Sequence, residues 1–172
     1  MATLKIEKWE RWFLYASVVV LVGFLVAILA SIGEAGIHLP TDEGSLDPNT
    51  VAETPPFDNP GLRQTGDGTY EAVMVARTWQ FTTGETDADG IPTITVPAGS
   101  TVTFIVTSGD VIHGLYIPRT DVNAMIIPGR VTKISQRFDE PGEYTFLCHE
   151  FCGLANEQIG HHSMYGKVVV QP

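Results

Sequence analysis

The sequence predicts an all-β sandwich or barrel carried on one N-terminal transmembrane α-helix. Three observations lead there. Trp12 to Ile32 is an uncharged apolar run, short β-rich runs separated by turn signals fill the chain from Tyr70 onward, and no long helical pattern interrupts them. The 172 residues include 20 acidic and 10 basic side chains, a formal net charge of −10. That balance excludes nucleic acid as a partner, because no Lys/Arg stripe is available to neutralise phosphates. Two cysteines are too few for a disulfide scaffold.

The apolar run WFLYASVVVLVGFLVAILASI has 21 residues. At ~1.5 Å per residue it spans roughly 31 Å, close to the ~30 Å of bilayer hydrocarbon. Trp9, Trp12 and Tyr15 stand at its start, where aromatic side chains favour the headgroup level. A cleaved signal peptide has an apolar core of about 7–15 residues. Ala30 and Ser31 could serve such a cleavage, but the run is longer, so an uncleaved anchor over 12–33 is expected. Lys5, Lys8 and Arg11 precede the span and the next basic residue is Arg63. By the positive-inside rule the N-terminal residues 1–11 are cytoplasmic and the chain beyond the span lies outside the cell membrane. Residues 34–172 carry seven basic and eighteen acidic side chains, so an external domain at −11 holds the acidity.

Residues 34–69 contain Pro40, Pro48, Pro55, Pro56 and Pro60 without sustained periodicity, and read as an extended linker. The external domain is expected over 70–172. Its strand candidates are 71–81, 93–96, 101–107, 131–138, 143–147 and 167–170. In the third, Val102, Phe104 and Val106 alternate with Thr101, Thr103 and Ile105, the pattern of a half-buried strand. Pro97-Ala98-Gly99, Pro128-Gly129 and Pro141-Gly142 supply turns.

Unusual chemistry is concentrated in Cys148-His-Glu-Phe-Cys152, followed by His161, His162 and Met164. Thiolate, imidazole and thioether together form the soft ligand set that copper prefers. The stretch begins directly after the strand Pro-Gly-Glu-Tyr-Thr-Phe-Leu, and His113 follows another strand. One ligand from an upstream strand end and the rest from a C-terminal loop is the cupredoxin arrangement. A disulfide within C-x-x-x-C would leave His113, His161 and Met164 unexplained. A Cys₂His₂ zinc site does not call for the methionine. Covalent haem lacks its Cys-x-x-Cys-His. A mononuclear blue-copper site needs one cysteine, whereas two allow both sulfurs to bridge two copper ions.

On these residues the chain resembles subunit II of haem-copper cytochrome c oxidases, which carries a dinuclear CuA centre. The short, single-anchor form of the ba-type (B-family) enzymes is the best match, and the resemblance covers nearly the whole chain. Its words here are Val-Pro-Ala-Gly at 96–99, Thr-Ser-Gly-Asp-Val-Ile-His-Gly at 107–114, Ile-Pro-Gly at 127–129, Pro-Gly-Glu-Tyr at 141–144 and Cys-x-Glu-Phe-Cys-Gly-Leu at 148–154. The resemblance implies a cupredoxin-like domain in which Cys148 and Cys152 bridge two coppers. His113 and Met164 would belong to one copper, His161 and the main-chain carbonyl of Glu150 to the other. The family has four positions from the second cysteine to its histidine, while Cys152 to His161 is nine, so Ala155 to Ile159 are looped in. The family's spacing of three from histidine to methionine selects His161 over His162. His149 is off the ligand pattern and expected to be exposed.

The resemblance also implies a function. The subunit takes single electrons from an external donor and passes them to haem in subunit I, which carries haem and CuB, for oxygen reduction coupled to proton pumping. No residue of this chain performs the oxygen chemistry. Trp79 and Phe81 are candidates for an aromatic path into the site, although both also suit a core. Glu7 or Glu10 could sit near a proton entrance, or simply pair with Lys8 or Arg11. The −11 exterior suits steering of a basic cytochrome c. It equally suits adaptation to high salt, as in a haloarchaeal source, where the donor would be a small blue-copper protein read by an apolar patch. The rival reading is a stand-alone membrane-tethered cupredoxin that shuttles electrons or delivers copper.

Overall fold

A computed structural model describes residues 7–35 and 41–172, with side-chain surroundings for 7–32 and 44–172. The chain divides into two compact units, residues 1–37 and 38–172. Lys5, one of the charges used for orientation, and Pro40 of the expected linker lie outside the described residues.

The first unit is helix α1, Lys8–Ala35, with 28 residues. Its large apolar side chains are exposed from Trp9 to Ile32. A helix apolar on every face must bury itself in something, and lipid is the solvent that suits it. Glu10 accepts a hydrogen bond from the Glu7 backbone N–H at 2.8 Å. This closes half of a capping box and gives Glu10 a structural role at the helix start.

The second unit is a two-sheet β-sandwich. Its strands are β1 (Thr41–Ser45), β2 (Gly61–Gly66), β3 (Thr69–Arg77), β4 (Gln80–Thr82), β5 (Thr93–Pro97), β6 (Ser100–Ser108), β7 (His113–Tyr116), β8 (Asn123–Ile126), β9 (Arg130–Phe138), β10 (Gly142–Leu147) and β11 (Tyr165–Gln171). One sheet runs β1-β9-β6-β3-β2 with β4 on β3, and the other runs β5-β11-β10-β7-β8. Parallel pairing of β3 with β6 and of β5 with β11 marks the crossovers between the sheets. The inward faces meet in one core holding Met74, Phe81, Phe104, Ile134, Phe138, Phe146 and Val168, all at most 2% exposed. Phe81 packs edge-to-face on Phe146 at 5.3 Å between ring centroids. Phe81 is therefore a core residue, and the aromatic path suggested through it is not supported by its position.

Three expectations change. The stretch read as an extended linker forms β1, a 3-10 helix over Pro48–Glu53, and β2, which pair or pack on the first sheet. Proline sits at the start of the 3-10 helix, where its missing N–H costs nothing, and Asp47 caps it by accepting the Asn49 N–H at 2.9 Å. Val51 and Phe57 are then buried against Val73, Val75 and Ile105, forming a second, smaller cluster on the outer face of the sheet. For the same reason β6 is buried on both faces along Phe104–Ser108, not half-buried throughout. The run 71–81 is also broken into β3 and β4, which turn around Thr78 and Trp79 and pair back on each other.

Candidate metal centre

The β-sandwich brings together residues from three separate parts of the chain. His113 is the first residue of β7, Cys148 follows the last residue of β10, and Met164 precedes β11. The Cys148 N–H donates to the Met164 carbonyl at 3.0 Å, tying together the two ends of the intervening loop. Gly114 N–H points to Cys148 Sγ at 3.4 Å and fixes the sulfur against β7. A Cβ at Gly114 would overlap the His149 ring, which would have to move aside. Gly153, directly after Cys152, holds φ at +97°, a left-handed conformation that favours glycine.

Among the described residues, His113, Cys148 and Cys152 have ligand atoms within 4.8 Å of one another. The two sulfurs are 3.8 Å apart, as free thiols. That is less than twice a ~2.3 Å metal–thiolate bond, so a single ion can touch both. Around the pair, His113 Nδ1 lies 3.9 Å from Cys148 Sγ and His161 Nδ1 lies 3.7 Å from Cys152 Sγ. Met164 Sδ lies 3.8 Å from Cys152 Sγ, and the Glu150 carbonyl oxygen 3.1 Å from Cys148 Sγ. Four further donor atoms, His113 Nδ1, His161 Nδ1, Met164 Sδ and the Glu150 carbonyl oxygen, thus lie within 3.9 Å of one or other sulfur. His162 is exposed with no contact to the pair shown. His149 is exposed but not idle: its ring packs edge-on against Tyr116 at 6.1 Å and lies 3.8 Å from the Glu150 carboxylate.

The pocket is dry. His113 is 0% exposed, Met164 1% and Cys148 3%. Burial pushes the Cys148 thiol up, but His113 and the Gly114 N–H outweigh it and hold it at about 7, below 9.0. Burial, together with the charge on Cys148, pushes Cys152 up to about 12. Burial also opposes charge on His113, yet Cys148 and Asp110 leave its pKa raised. One ready thiolate beside a withheld one suits a site in which a cation takes the second proton's place.

The looped-in residues stay outside. Leu154 and Gly160 bridge antiparallel. Ala155 N–H and Asn156 N–H both donate to the Ile159 carbonyl, at 2.9 and 3.1 Å. The Asn156 side chain accepts from the Gln158 and Ile159 N–H groups at 2.8 Å each. This closed turn returns the chain so that His161 N–H donates to the Gly153 carbonyl at 2.9 Å.

Several neighbours were not singled out by sequence reasoning. Asp110 accepts from His113 Nε2 at 2.8 Å, a contact that the i to i+3 spacing within Asp-Val-Ile-His could have suggested. Phe151 is 73% exposed and Leu154 60%, and Val111 and Ile112, next to His113 in the chain, are exposed as well. Trp79, by contrast, is a candidate the sequence did offer for the aromatic path; it is half-buried and donates its indole N–H to the Cys152 carbonyl at 3.2 Å.

The fold and the donor set define a class: a cupredoxin-like domain with a soft-ligand site suited to copper, in a membrane-anchored chain. Comparison narrows it. Residues 64–170 match the family model "Cytochrome C oxidase subunit II, periplasmic domain". Cytochrome c oxidase subunit 2 of Thermus thermophilus is 31% identical over 170 residues, 96% of this chain and 94% of that protein. A heme-copper oxidase subunit 2 of Aeropyrum pernix is 36% identical over 96 residues, 54% of this chain and 39% of that one. A chain from a cryo-EM structure of a heme-copper terminal oxidase dimer superposes with a TM-score of 0.73 at 33% identity, covering 95% of this chain and all of its own (100%). The chain belongs to the cytochrome c oxidase subunit II family.

Proposed function

We propose that this chain is the electron-accepting subunit of a ba-type haem-copper terminal oxidase, with a dinuclear CuA site in its external domain. The convergence of four further donor atoms on one sulfur pair carries the reading. Cys148 and Cys152 would bridge two coppers, with His113 and Met164 on one and His161 and the Glu150 carbonyl on the other. Thioether and carbonyl donors exceed what a four-ligand structural zinc uses, and the soft set favours copper. Such a centre, when bound, supplies one-electron transfer from an external donor towards haem in the oxidase's catalytic subunit I, which also holds CuB.

The chain's own residues hold the ligands still. β7 and β10 fix His113 and Cys148 to the sheet, the Cys148–Met164 backbone bond closes the loop, and burial excludes water. Rigid ligands in a dry shell keep rearrangement on electron transfer small. Trp79, bonded to the Cys152 carbonyl, would be the aromatic contact for incoming electrons. The exposed apolar side chains of Val111, Ile112, Phe151 and Leu154, close in sequence to the ligands, suit a donor read by apolar contact, a small blue-copper protein or a cytochrome c. Lys8 and Arg11 before the span support a cytoplasmic N-terminus and a plasma-membrane anchor.

Purification of the full chain from its own cell membranes in mild detergent tests this. A haem-bearing partner should accompany it, with oxygen uptake that Cys148→Ser abolishes. A copper-loaded chain that purifies alone, without haem, supports the tethered shuttle instead.

A further inference from the structure

We propose that Asp110 is a positioning residue, which holds His113 with its Nε2 protonated and Nδ1 turned to the sulfur pair. Asp110 is used on every side. Its Oδ1 accepts from His113 Nε2 at 2.8 Å and from the Val111 N–H at 2.7 Å. Its Oδ2 accepts from the Thr78 N–H at 2.7 Å and the Thr78 hydroxyl at 3.0 Å. Ser108 Oγ adds a contact at 3.3 Å and accepts from the Asp110 N–H at 3.2 Å. A carboxylate so bound cannot rotate freely, so the ring it grips cannot either.

The consequence is one of direction. An imidazole has two nitrogens, and the hydrogen bond made by one decides which is free to bind a metal. With Nε2 donating to Asp110, Nδ1 faces Cys148 Sγ at 3.9 Å and is the nitrogen left for a metal. Thr78 lies in the β3–β4 turn, whose next residue, Trp79, donates to the Cys152 carbonyl at 3.2 Å. One turn thus braces the site at two points, His113 through Asp110 and Cys152 through the indole. Asp110 also leaves a negative charge one ring away from the metal, which favours the more oxidised state.

This inference rests on the copper reading for its redox part, but its geometric part needs no metal. The test uses the full chain in detergent. In the metal-free protein, NMR of the His113 ring should show a slowly exchanging N–H on Nε2. Asp110→Ala should lose that protection, Asp110→Asn should keep much of it, and Thr78→Val should weaken it. In the copper-loaded protein, Asp110→Asn should raise the reduction potential, while Asp139→Asn, on a surface carboxylate paired with Arg137, should not. Should Asp110→Ala fail to fold, the Asn and Thr78→Val variants still decide. Unchanged ring exchange in Thr78→Val together with an unchanged potential in Asp110→Asn overturns the proposal. Lost ring protection in a chain that binds only one copper leaves the positioning role standing and removes the dinuclear site instead.

Discussion

Deleting Ala155 to Ile159 should leave the metal centre intact. Leu154 and Gly160 already face each other as an antiparallel bridge. Opposed residues in such a pair have Cα atoms ~4.5–5.5 Å apart, and a single peptide spans ~3.8 Å. Joining them therefore asks for a shift of roughly 1–2 Å, which the glycine at 160 can absorb. The hydrogen bonds removed, from Ala155, Asn156, Gln158 and Ile159, all lie within the excursion, and Ile159 is 50% exposed. Removing a turn of this length changes loop-closure entropy by about 1 kcal/mol. The thermal midpoint should then stay within about 5 °C of the parent. Copper content and the visible and EPR spectra of the deleted chain, compared with the parent, are the assay. A deleted chain that melts normally but loses copper, or whose spectrum matches that of His161→Ala, would refute the view that the excursion lies outside the site.

Other outcomes follow from the same geometry. His161→Ala should abolish the copper spectrum and His162→Ala leave it unchanged, since His161 reaches Cys152 and His162 points to solvent. Phe146→Ala should cost about 3–5 kcal/mol, because the ring is 0% exposed and packed on Phe81; urea denaturation of the metal-free chain measures it. In the metal-free chain, Cys148 titrates at about 7 in the fold against 9.0 unfolded. Its thiolate contribution is present above pH 9 and lost as pH falls through 7. The stability difference between the metal-free parent and Cys148→Ser should therefore grow from pH 6 to pH 9, by on the order of 2 kcal/mol. A flat difference contradicts the thiolate.

How much of this was legible in the sequence depended on length and on rarity. The long strands β3, β6 and β9 stand out because each runs for nine residues between turn signals. β7 and β8 have four residues each, too few for a period to register. β1, Thr-Asp-Glu-Gly-Ser, has almost no β-forming residues; it is a strand because the edge of β9 offers unpaired backbone to it. Val51 and Phe57 were unreadable as core for a similar reason: what they cover is the outer face of β3 and β6, fixed only by tertiary packing. The site was legible because cysteine, histidine and methionine are scarce and their types name their chemistry. Asp110 was less so, since one carboxylate among 20 acidic residues carries no signal until its partner is in reach. The excursion at 155–159 could be recognised as extra, but its closure on Gly153 and His161 depended on the Asn156 side chain taking two backbone donors.

The central claim is that Cys148 and Cys152 together hold two coppers. Metal analysis of the full copper-loaded chain, with EPR on the same sample, tests it most directly. The account predicts two copper ions per chain and a hyperfine pattern from one unpaired electron shared over both nuclei. One copper per chain, with the pattern of a single nucleus, contradicts it.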